Sequence, residues 1–176
     1  MILGLSITTF TLIHTVLSLV GIIAGLVVAG ALATGTRLDR WATVFLVTTV
    51  LTSATGFAFP FAKFLPSHAV GIVSLVVLAG VIVADNVKHL AGKWRTTYAV
   101  GVVVATYLNV FVLVVQLFKR IPVLFVAAPT QSEPPFALTQ ALVLALFVWL
   151  GLAAVKGRQA EPRLVPGSGL GRSGTG

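Results

Sequence analysis

Five apolar runs, separated by short connectors marked by Arg and Lys, constrain this chain more than any other feature. A helix needs roughly 20 apolar residues to cross a bilayer, and each run is about that long. A chain with 57% hydrophobic residues, 9% charged residues and a mean hydropathy of +1.06 cannot keep such runs in water. The sequence therefore predicts an all-α, integral membrane helical bundle of five transmembrane helices.

The runs cover 8–33, 41–60, 67–87, 97–118 and 136–155. Gly35, Arg37, Asp39 and Arg40 end the first, and Trp41 and Trp94 stand at interfaces where amphipathic rings are favoured. Ser67 has the residue type of an N-cap for the third. Lys119 and Arg120 stop the fourth. The stretch 122–129 is apolar but too short to cross, and it is expected to lie along an interface. The stretch 130–135 is polar and turn-like. The spans form one domain, 1–155, and the Gly-, Pro- and Arg-rich stretch 156–176 reads as a disordered basic tail.

Orientation follows from the cations. With the N-terminus outside, the cytoplasmic segments hold Arg37, Arg40, Lys88, Lys93, Arg95, Lys156, Arg158, Arg163 and Arg172, and the outer segments hold only Lys63, Lys119 and Arg120. That split obeys the positive-inside rule and puts the C-terminus in the cytoplasm. The same cations, scattered among connectors, explain the net charge of +8 without a nucleic-acid partner. No charged region precedes the first run, so it reads as a retained span rather than a cleaved signal.

Function is less strongly marked. Cysteine is absent, which removes disulfides, thiolate catalysis and thiolate metal sites. The four carboxylates, Asp39, Asp85, Glu133 and Glu161, lie far apart in sequence, against a paired acid/base mechanism. No catalytic signature is present, so the balance is against an enzyme. No inverted repeat or broken helix points to a small-solute transporter, which stays a further alternative.

With the N-terminus outside, five spans send polar side chains into the outer half of the membrane: His14 and Ser18, then Thr52, Ser53 and Thr55, then His68, then Asn109 and Gln116, then Gln140. Asn109 and Gln116 are seven residues apart and share a helix face. The inner halves of spans one and three are almost free of polar side chains. This pattern predicts a pocket opening outward, with His14, His68, Asn109, Gln116 and Gln140 as candidate ligand contacts. The plain alternative is packing: Ser, Thr, Asn, Gln and His often join membrane helices, and the small residues Gly21 and Gly25 allow close approach, within the chain or between copies.

His14 and His68 enter from the same side and would be the axial pair if a b-type haem were bound, with Phe57, Phe59, Phe61 and Phe64 near by. A quinone, needing only one or two donors, is a milder version of that reading. Asp85 and His89 are spaced as an i, i+4 pair. Glu133 is expected to be a solvated loop charge, with Lys119 or Arg120 as its alternative partner. The outer connector 130–135 would then serve as a lid. The chain thus reads as a small non-catalytic membrane subunit or ligand-binding module, with a membrane-protein partner or a second copy as candidate companions.

The segments Leu65-Pro-Ser-His-Ala-Val-Gly71, Tyr107-Leu-Asn-Val-Phe111 and Ala128-Pro-Thr-Gln-Ser-Glu-Pro-Pro-Phe136 resemble small multi-pass inner-membrane proteins of proteobacteria. The resemblance covers the five runs and excludes the tail. It implies a bacterial cytoplasmic membrane as the setting and carries over no activity and no site residue.

Overall fold

The computed structural model describes residues 4–59 and 66–159, with backbone alone at 66, 67, 158 and 159. The described residues form helices α1 (Ile7–Ala33), α2 (Asp39–Gly56), α3 (Pro66–Ile82), α4 (Trp94–Arg120), α5 (Pro122–Ala127) and α6 (Pro134–Gln159), with a π turn, Val83–Val87, continuing α3. The expected fifth span continues as helix through Gln159, past the boundary at 155. Residues 160–176, the greater part of the expected tail, lie outside the described residues, as do Phe61, Lys63 and Phe64 and the side chain of Ser67.

Helix ends follow local chemistry. The Ser6 hydroxyl accepts from the Thr9 amide at 3.1 Å and caps the start of α1. Its end is a Schellman turn: Gly35 sits at φ +77, its amide reaches Leu32 O at 3.1 Å, and the Thr36 amide reaches Ala31 O at 2.8 Å. Pro122 starts α5 and Pro134 starts α6, where a missing amide hydrogen costs nothing.

The long helices close into a ring in the order α1–α2–α3–α4–α6, with α1 and α4 also touching across it. That crossing divides the ring into a four-sided compartment, α1–α2–α3–α4, and a three-sided one, α1–α4–α6. The crossing depends on absent side chains. A Cβ on Gly25 would lie 2.4 Å from Thr106 Oγ1 and 2.9 Å from Phe45 Cε2, and one on Gly21 would lie 3.1 Å from Thr49 Oγ1. The Gly21/Gly25 face is thus used inside the single chain, against α2 and α4, and is not left open to a second copy. Around it Ala24, Val28, Ala29, Phe45, Val102 and Ala105 are buried and form the core.

Ile7–Ala33, His68–Val87, Trp94–Arg120 and Pro134–Gly157 are long and apolar enough to cross a membrane. Their outer faces expose large apolar side chains such as Ile23, Val76, Leu142 and Trp149, as lipid contact requires. Among the described residues four helices, not five, meet that standard. Helix α2 begins with Asp39 and Arg40 and carries Thr43, Thr48, Thr49, Thr52, Ser53 and Thr55, which lower its apolar character. At 18 residues it is about 27 Å long by helical rise.

The helix ends fall into two sets. One end of the bundle holds the start of α1, the ends of α2 and α4, and the starts of α3 and α6. The opposite end holds Arg37, Arg40, Lys88, Lys93, Arg95 and Lys156. At this basic end Arg37 binds Asp39, and its Nη2 lies 2.8 Å from Asp85 Oδ1, with the guanidinium 5.7 Å from the centre of the Tyr98 ring. Asp85 therefore pairs with Arg37, not with His89 four residues on. The π turn breaks α-helical register between them, and the chain leaves the helix with His89 at φ 45. Partial burial alone would lower the pKa of Arg37, but the hydrogen bond to Asp39 and the charges of Asp85 and Asp39 hold it above the ordinary value.

Candidate functional site: a polar cavity between four helices

The four-sided compartment is filled at the Gly25–Thr106–Phe45 level and open toward the start of α1. There it contains a cavity of about 710 Å³ whose lining comes from α1, α2, α3, α4 and the residues just after α2. This is within the size range of small-molecule sites.

Each helix contributes polar groups at regular spacing. From α1 come Thr11, His14, Thr15 and Ser18, at steps of three and four residues that keep one face toward the cavity. Helix α2 contributes Thr52 and Ser53, α3 contributes His68 and Ser74, and α4 contributes Asn109, Gln116 and Arg120. Apolar side chains, among them Leu19, Ile22, Val112 and Leu113, fill the intervals.

Several of these groups are already engaged. His14 Nδ1 and Thr55 Oγ1 are 2.9 Å apart, which fixes the ring and leaves Nε2 as its second polar atom. Phe59 meets the His14 ring edge-on, with centroids 5.2 Å apart. His68 is 5% exposed and stacks on Phe57 at 5.7 Å. That stack needs Gly71, since a Cβ there would lie 3.1 Å from the Phe57 ring. Ser53 donates to Ser74 at 3.1 Å, and Asn109 Nδ2 donates to Thr49 Oγ1 at 3.4 Å.

Thr52 differs. It is 7% exposed, it lines the cavity, and its hydroxyl has no hydrogen-bond partner. Of the other buried threonines, Thr106 follows the usual membrane solution, its Oγ1 donating to Val102 O at 2.8 Å, and Thr49 Oγ1 accepts from Asn109. A buried hydroxyl left unsatisfied costs about 1–3 kcal/mol. The Thr52 oxygen is itself buried behind the lining, so its hydroxyl is an unsatisfied group in the cavity wall.

Of the five residues the sequence singles out, the structure brings four to this cavity: His14, His68, Asn109 and Gln116. Gln140 is elsewhere. It lies on α6 in the three-sided compartment, where Nε2 donates to Phe111 O at 3.2 Å and Oε1 is buried without a partner. Polarity and depth alone assigned it to the same pocket, but the α1–α4 crossing separates it. Sequence reasoning did not count Arg120 as a site residue, although it continues the Asn109–Gln116 face by four residues and lines the cavity. Glu133 is the loop charge the sequence expects: it closes a turn, accepting from Thr130 N at 3.1 Å, Ser132 N at 3.1 Å and Thr130 Oγ1 at 2.8 Å, and pairs with neither Lys119 nor Arg120, the alternative. Helix α5 is the short apolar segment expected in that connector, with Val123 and Val126 exposed.

Among the described residues no three His, Asp or Glu side chains gather to hold a metal ion. Comparisons with protein families, with curated proteins and with solved structures find no match to this chain. The functional reading therefore rests on the geometry.

Proposed function

We propose that the chain is a five-span bundle of a bacterial cytoplasmic membrane, N-terminus outside, that binds an amphipathic ligand in the outer half of the membrane and catalyses no reaction. Helix α2 is the fifth span in this reading. It packs between α1 and α3, is about as long as the hydrocarbon is thick, and meets neighbouring lipid with Val44, Val47 and Leu51. The excess of cations at the end opposite the cavity favours that end as cytoplasmic.

The observation that carries the binding reading is the convergence of His14, His68, Asn109 and Gln116 on one cavity with largely apolar walls. A few placed polar groups on an otherwise apolar lining are the usual composition of a ligand site. The filled layer at Gly25 supports a closed pocket over a transport path, because the crossing α1 and α4 meet there without space for a side chain. The test is mass spectrometry of an organic extract from protein purified in mild detergent. A stoichiometric small molecule that is lost when Ser18→Leu fills the cavity supports the reading. Purified protein carrying only detergent, or lipid in an amount indifferent to the substitution, refutes it.

A haem b reading draws on one feature, that both cavity histidines come from facing helices and His14 keeps Nε2 available. An oxidised-minus-reduced optical spectrum of protein made in haem-supplied cells decides it. A Soret band with sharp α and β bands makes His14 and His68 the ligands, and a featureless visible region ends the haem reading. A quinone would be found by the extract.

A further inference from the structure

We propose that the cavity prefers amphiphiles with an anionic head, a phosphate or carboxylate held by Arg120, over neutral or zwitterionic ones; this deepens and rests on the ligand-binding reading above.

The charges around the cavity are one-sided. Its titratable lining residues are Arg120, His14 and His68, and none of its lining residues is a carboxylate. Glu133, the carboxylate in the neighbouring connector, is occupied by its own turn through Thr130 and Ser132. Among the described residues the ion pairs found belong to Arg37 at the far end, so Arg120 has no carboxylate within bonding distance there. A guanidinium at the rim of a low-dielectric cavity attracts an anion more strongly than the same group in open water. Its planar fork fits two oxygens of a phosphate or carboxylate.

Depth supports the same assignment. Arg120 is the last residue of α4 and closes the long apolar run, which puts it at headgroup level in a bilayer. Asn109 is 11 residues below it on the same helix, about 16 Å by helical rise. Leu113 and Leu117 line the interval and give an apolar body its contacts.

The experiment titrates the full chain, purified in a non-ionic detergent, with phosphatidylglycerol, with phosphatidylcholine of the same acyl chains, and with inorganic phosphate, read by native mass spectrometry. Phosphatidylglycerol is expected to bind about tenfold more tightly than phosphatidylcholine, the gain of one charge-assisted contact. Arg120→Gln is expected to remove that preference, weakening phosphatidylglycerol about tenfold and phosphatidylcholine, whose phosphate is already neutralised by its own choline, by much less. Arg120→Lys should keep part of it, and Lys119→Gln, next door but outside the cavity, should keep all of it. Competition by inorganic phosphate would support the anion site and assign its source to a free anion; lack of competition would support it as a lipid-head site. Equal binding of the two lipids, or a preference that survives Arg120→Gln, overturns the anion inference and leaves the cavity reading standing. Failure of both lipids to bind, or binding unchanged by Gly71→Leu, which puts a side chain against Phe57 in the cavity wall, overturns both.

Discussion

Gly25→Ala is expected to destabilise the bundle, although alanine is the better helix former. The new Cβ would stand 2.4 Å from Thr106 Oγ1, 2.8 Å from Thr106 Cγ2 and 2.9 Å from Phe45 Cε2. Thr106 cannot swing aside easily. It is β-branched, fully buried, and its hydroxyl is tied to Val102 O at 2.8 Å. Phe45 is fully buried as well, so α1 must move away from α2 and α4. Overpacking of this kind costs roughly 1–3 kcal/mol, and the propensity gain of alanine over glycine returns at most about 1 kcal/mol. A net loss of about 1–2 kcal/mol follows. Gly21→Ala is the internal comparison: its Cβ would meet the hydroxyls of Thr49 and Thr48 at 3.1 and 3.2 Å, an overlap of only a few tenths of an ångström, so its effect should stay within about 1 kcal/mol. The assay is reversible unfolding in mixed micelles by added sodium dodecyl sulfate. Adding Thr106→Ala to Gly25→Ala removes both of the nearest atoms and should recover about 1 kcal/mol beyond additivity. Gly25→Ala protein as stable as the parent, or a double variant with strictly additive losses, would refute the crossing as described.

Four further outcomes are expected. Thr52→Val, close in shape and without the unpartnered hydroxyl, should leave the purified protein as stable as the parent or up to about 1 kcal/mol more stable; a clear destabilisation in the same unfolding assay would mean the hydroxyl has a partner. Asp85→Asn should cost about 1 kcal/mol, between the exposed and buried limits for an ion pair whose acid is 14% exposed, and the loss should vanish in an Arg37→Gln background in a double-mutant cycle. Gly157→Ala, whose Cβ would lie 2.4 Å from Ala33 O and 2.6 Å from Leu32 O, should loosen the end of α6 by roughly 1–3 kcal/mol, read as faster proteolysis after 150. For Glu133, slight desolvation raises the pKa while the hydrogen bonds from Thr130 and Ser132 lower it, with a net value below the ordinary 4.5. The turn's contribution is then present above that ordinary value and lost as pH falls through the lower folded one, so the Thr130 and Ser132 amide resonances should shift with a midpoint below 4.5.

The helices were legible because apolar length and Arg/Lys boundaries are one-dimensional signals. The expected 8–33 run is α1 but for one residue, and the short apolar piece after Arg120 is α5. Helix α2 was less legible as a span because its threonines and the opening Asp39-Arg40 pair dilute the signal; Thr43, Thr48 and Thr55 bond back to their own helix, while Asn109 reaches Thr49 and Ser53 reaches Ser74 only in the folded bundle. The face shared by Asn109 and Gln116 could be read from a spacing of seven, and one further turn would have added Arg120. Gln140 could not be separated from them by depth, since only the α1–α4 crossing at Gly21 and Gly25 divides the compartments. The partner of Asp85 was hidden for a similar reason: it is 48 residues away, and the π turn that breaks its register with His89 leaves no sequence mark.

One labelling experiment reaches the centre of this account. The chain contains no cysteine, so Gln116→Cys carries a unique thiol partway down the α4 face of the cavity. In intact cells a small, membrane-impermeant thiosulfonate should modify it from outside, and a cavity-filling Ser18→Leu in the same chain should slow that reaction several-fold. Modification only after the inner face is exposed, or a rate indifferent to Ser18→Leu, would contradict a ligand cavity open to the outer side of the membrane.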